Sequence, residues 1–121
     1  MPEVFNEMVT ALKALAQGET GAEIPLPMAE DEWNTRPDTV SYGTVSLDFE
    51  AGQLNADGLK TDESYEGSLD LYSLNRNGAG WIPLIREVLE TYCGSSWSLN
   101  SHAYERNTGL FHWEWTFEVI G

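Results

Sequence analysis

The sequence predicts an α+β fold: a mainly antiparallel four-stranded sheet with two helices packed on one face. Three observations carry that expectation. The closing stretch GLFHWEWTFEVIG alternates Phe111, Trp113, Trp115, Phe117 and Val119 with His112, Glu114, Thr116 and Glu118. Period two marks a strand with one apolar face. Two other stretches repeat apolar residues at helical spacing. Finally, 121 residues suffice for one domain, 1–121, that buries a core without disulfide or metal.

The elements follow in order. Val4, Phe5, Met8, Val9, Leu12, Leu15 and Ala16 define an amphipathic helix, with Gly18 as its stop. IPLPMAEDEWNTRPD, residues 24–38, holds three prolines and an acidic cluster, and reads as an extended surface connection. In TVSYGTVSLDF, Val40 and Tyr42 share one parity while Val45, Leu47 and Phe49 share the other. Gly43 stands where the phase changes, so a bulge is expected there. EAGQLNADGLKTDE is polar and reads as a long hairpin loop, after which Tyr65, Leu69 and Leu71 resume one strand face. WIPLIREVLETYCG gives a second helix, with Pro83 tolerated in its first turn and Gly94 at its end.

SWSLNSHAY and LFHWEWTFEVI close the chain as a hairpin around ERNTG. Pairing positions that sum to 214 sets Ala103 against Phe111, Ser101 against Trp113, Leu99 against Trp115 and Trp97 against Phe117. Small side chains then oppose large ones, and His102 joins His112 and Glu114 on the wet face. The aromatic row is expected to be core, covered by both helices.

Charge is the odd feature. Twenty acids against six bases give a formal −14. Between Glu19 and Asp70 there are thirteen acids against Arg36 and Lys60, a net −11. Such a surface repels nucleic-acid phosphates and anionic membranes, so no specific nucleic-acid or membrane binding is expected. The lone Cys93 is expected to be a buried, inert thiol, and a reducing, cytoplasmic setting fits it. No basic-then-apolar leader opens the sequence, and no apolar run approaches a membrane span.

Patterns that carry chemistry are sparse. His102, His112 and Glu114 could converge on a metal, but no HxH or HExxH motif supports them, and neither metal nor other cofactor is expected. Asn55, Asp57, Asp62 and Glu63 surround Gly58 without calcium-loop spacing. NGAG precedes a helix but lacks the third glycine and the lysine of a phosphate loop. With no triad context either, the expectation is a protein that is not an enzyme.

The order helix, proline-rich connection, long hairpin, helix, final hairpin resembles the small tail terminator, or tail completion, proteins of long-tailed phages and prophages. FEAGQLNADGLK is similar to that family's acidic loop, GSLDLYSL to its following strand, and YERNTGLFHWEWTFEV to its C-terminal hairpin. The resemblance implies a virion structural protein, assembled in the host cytoplasm. It would form a homohexameric ring that caps the tail tube and offers a head–tail joining surface. Its partners would be itself, the tail tube protein and a head connector or completion protein. By motif position, Leu54, Asn55, Ala56, Asp57, Leu59 and Lys60 would form the subunit or tube interface. A competing class fits the charge as well: a monomeric acidic inhibitor, an immunity protein or DNA mimic that binds a basic partner.

Overall fold

A computed structural model of the chain describes residues 3–17, 24–31, 33, 37, 40–50 and 64–120. Helix α1 spans Glu3–Lys13 and buries Phe5, Met8, Val9 and Leu12, the i, i+3, i+4, i+7 row that the sequence lays out. It stops earlier than expected. Leu15 closes a tight turn onto the Leu12 carbonyl, and Ala16–Gln17 (β1) pairs antiparallel with Ile24–Pro25 (β2).

The main sheet has five strands, in the order β3 (Met28–Glu30), β4 (Ser41–Glu50), β5 (Ser64–Ser73), β7 (Leu110–Ile120), β6 (Trp97–Glu105). It is mixed, not four-stranded and antiparallel throughout: β3 pairs parallel with β4, and every other pairing is antiparallel. The extra strand lies inside the segment expected to be only a surface connection. Prolines at 25 and 27 hid it, yet Leu26 and Met28 are buried, and the Gly43 amide donates to the Pro27 carbonyl at 2.8 Å.

Gly43 is not a bulge. It pairs with Leu71, and the irregularity in β4 falls at Asp48, between Leu47 and Phe49. The parity change has another cause. Tyr42 faces away from the helices and is buried there against other aromatics, so a buried residue on each face imitates a phase shift.

After β5, a 3-10 turn (Gly78–Gly80) carries positive φ at all three residues, Ala79 included. The Asn77 side chain accepts from the Ala79 amide and steadies the turn. Helix α2 (Trp81–Cys93) follows, with Pro83 in its first turn and Gly94 ending it, as expected. It buries Trp81, Ile85, Val88, Leu89 and Cys93. Burial pushes the Cys93 thiol up to about 11, and its Sγ lies 3.8 Å from Met8 Sδ, linking the two helices.

Both helices contribute to one core with the odd-numbered rows of β5 and β7. Trp113 and Trp115 are 3% and 1% exposed, so the aromatic row is core. Phe117 lies over Gly67, its cross-strand partner, and stacks on Phe5 of α1 at 6.2 Å. A Cβ at position 67 would meet the Ser46 carbonyl oxygen at 2.3 Å and the Phe117 ring at 2.6 Å. Glycine there is a requirement of packing.

Two substitutions test this core by urea or thermal unfolding. Trp115→Ala should cost about 3–5 kcal/mol, the range for an aromatic truncated in a closed core. Gly67→Ala adds one methyl against a backbone carbonyl and should cost about 1–3 kcal/mol through forced displacement of β4 or Phe117.

Candidate functional site

Among the described residues, the sheet's second face carries no helix. Strand alternation places Tyr42 of β4, Tyr72 of β5 and His112 of β7 side by side on it, because each is the register partner of the next. Their rings stack in a row: Tyr42 on Tyr72 with centroids 5.0 Å apart, and Tyr72 on His112 at 4.3 Å, both at 16°. Trp33 closes the far end edge-on to Tyr42 at 6.4 Å, its indole N–H donating to the Gly43 carbonyl at 3.0 Å.

His112 ends the row between two acids. Its Nε2 lies 2.7 Å from Asp70 Oδ1 and its Nδ1 3.1 Å from Glu105 Oε2. A carboxylate only accepts, so both ring nitrogens donate and the ring is held as the imidazolium. The Asp70 hydrogen bond raises the His112 pKa above its ordinary value of 6.5; burial works against this, and the charges of Asp70 and Glu105 add to it. Tyr72 is pushed up to about 12 by burial and by the same two carboxylates. Both shifts favour the protonated form of the ring concerned, and both His112 nitrogens are engaged by carboxylates.

The carboxylates tie this cation to three strands. Asp70 belongs to β5 and also accepts from the Thr44 hydroxyl of β4 at 3.5 Å. Glu105 ends β6, and its side chain accepts from Thr108 within the β6–β7 turn. His112 therefore clasps that turn to the middle of the sheet.

Further along the same face, like charges oppose one another. Glu66 pairs with Glu118, and Asp70 with Glu114. Directly opposed like charges destabilise an antiparallel pair by roughly 0.2–1 kcal/mol. His112 offsets the second pair; among the described residues no cation pairs with Glu66 or Glu118.

The set His102, His112, Glu114 does not come together. The expected register holds from Trp97↔Phe117 to Leu99↔Trp115, then a bulge at Asn100 shifts it by one. Ser101 now faces Glu114, His102 faces Trp113 and Ala103 faces His112, instead of Ser101–Trp113 and Ala103–Phe111. His102 lies on the helix side, stacked on Trp113 at 4.5 Å, across the sheet from His112. The NGAG stretch is the turn into α2 described above. Leu54, Asn55, Ala56, Asp57, Leu59 and Lys60, with Asp62 and Glu63, lie outside the described residues. The aromatic row escaped the sequence reading because it is a property of register across three strands; the parity of Tyr42, which reads in sequence as a bulge at Gly43, was its one visible trace.

No protein-family model and no curated protein matches the chain.

The clasp gives a pH dependence with a definite sign. A histidine whose folded pKa lies above its unfolded value adds stability fully below the unfolded pKa, and that stability is lost as pH rises through the folded pKa. The stability gap between the native chain and His112→Gln should thus be widest below the ordinary histidine value of 6.5 and shrink as pH rises through the raised pKa. Urea titrations across that range, with the His112 ring followed by NMR, measure it. A gap that grows with pH would refute the imidazolium assignment.

Proposed function

We propose that the chain is a phage or prophage structural protein, a tail-terminator-like subunit that caps the tail tube as a homo-oligomeric ring and forms the head–tail joining surface. The observation that carries this reading is the order of elements: helix, acidic proline-rich connection, long hairpin, helix, closing hairpin. The acidic helix-free face supports it. A ring whose lumen is lined by carboxylates lets DNA slide without sticking, since like charges repel within a Debye length of about 8 Å at physiological salt. In this reading the connection between β4 and β5 is the contact segment, with Leu54 and Leu59 as its apolar anchors and Asn55, Ala56, Asp57 and Lys60 around them.

The same face also favours a second reading. Glu66, Asp70, Glu114 and Glu118 on adjacent strands offer a basic protein a charged sheet, as an immunity protein or DNA mimic would.

Assembly discriminates between the two. A formal −14 per subunit opposes ring closure, so oligomer should grow with ionic strength and in the presence of tail tubes. Light scattering across protein and salt concentration, then negative-stain microscopy with tubes, is expected to show capped tube ends. A protein that ignores tubes and binds a basic nuclease tightly, with affinity falling as salt rises, would overturn the ring reading in favour of the inhibitor.

A further inference from the structure

The sheet's two edges are unlike. At one edge β3 is three residues long and turns away at Asp31, whose φ is 68°. Beyond it β4 is broken at Asp48. At the other edge β6 runs nine residues with no proline and no lysine, and seven of the nine are exposed. Sheet edges are usually guarded by charge, proline or brevity, because an open row of N–H and C=O groups recruits another strand. Apart from its bulge at Asn100 and Glu105 at its last position, β6 has none of these guards.

Its side chains repeat the signal. Register places Trp97, Leu99, His102 and Tyr104 on the helix side of β6. The helices cover Phe117 and Trp115 and reach Trp97, over which Arg86 of α2 lies at 5.8 Å, but they stop short of Leu99, His102 and Tyr104. Leu99 is 50% and Tyr104 53% exposed, and His102 is open to solvent above Trp113. This is an apolar and aromatic strip beside a backbone edge that no described strand pairs.

Charge selects the occupant. The chain carries −14, yet residues 97–105 contain a single charged side chain, Glu105, already engaged by His112. Two copies of so acidic a protein approach one another most cheaply where neither brings charge. We infer that β6 is a self-association edge, at which Ser101–Glu105 of one copy pairs antiparallel with the same strand of a second copy about a two-fold axis at Ala103. Such an axis stands perpendicular to the sheet, so both helix layers fall on the same side. The strip of each copy then lies in the trough between the two layers and covers the other. His102 of one copy faces Tyr104 of the other, twice, and the small Ala103 sits on the axis. The contact is isologous and self-complementary. It is separate from the ring reading, which needs a cyclic contact.

The full chain in sedimentation velocity at physiological salt is expected to pass from monomer to dimer as concentration rises. Leu99→Glu/Tyr104→Glu, both at exposed positions, should abolish the dimer while leaving the melting temperature unchanged. Independently, Ala103→Cys under mild oxidation should cross-link to a covalent dimer, because directly opposed antiparallel residues lie within disulfide reach. Ser98→Cys, off the axis, should not. Monomer at every concentration, a dimer indifferent to the double substitution, or cross-linking equal at both cysteines would each overturn the inference. Tube capping by the native chain is scored separately: capping by a native chain that forms no solution dimer sinks this contact and leaves the ring reading standing, and a native dimer that ignores tubes does the opposite.

Discussion

The fold depends on one seam, the pairing of β5 with β7, and on what that seam presents to each side. Leu69, Leu71, Trp113, Trp115, Phe117 and Val119 project from it towards α1 and α2, and these side chains fill the core. The seam works only because Gly67 is bare. With no side chain there, the Phe117 ring lies flat across β5 and reaches Phe5, joining the last strand to the first helix. Hydrophobic burial of rings this large is worth several kcal/mol each, far more than any polar contact on the surface. The seam therefore outweighs the opposed carboxylates that it tolerates on its other face.

Much of the helix side was legible in the sequence, because there the chemistry is periodic. The odd-numbered row of β7, the face of β5 with Tyr65, Leu69 and Leu71, and both helices follow from spacing alone. What escaped is what depends on partners distant in sequence. β3 is three residues that become a strand only because β4 lies alongside. The bulge at Asn100 leaves no mark in composition, and it decides whether His102 stands with His112 or with Trp113. Tyr42 looked out of phase because a second buried layer, built from register, was waiting for it. Of the candidate site, His112 and Glu114 stood out as polar residues in an aromatic strand, but Asp70 and Glu105, the groups that define His112, were invisible from one strand.

The helix-free face shows how a strongly acidic protein handles its own charge. Opposed carboxylates on neighbouring strands lie well inside a Debye length of about 8 Å, so salt does little for them. His112 partly offsets the cluster nearest the β6–β7 turn, and stacking on Tyr72 keeps the cation oriented between its two acids. At the opposite end of β5, Glu66 and Glu118 are left facing each other. Among the described residues the face is thus electrostatically graded along the strands, partly compensated near the turn and without a paired cation at Glu66 and Glu118.

The brevity of β3 reaches beyond the monomer. A sheet with two usable edges can add copies without end and so seeds fibres, whereas a sheet with one can be joined only once. Met28–Glu30 covers only Gly43–Val45 of β4 and ends at Asp31, so among the described residues this edge offers a second copy less strand to extend than β6 does. A larger closed assembly of this subunit would then draw on faces, helices or connections more than on a continuous β-sheet.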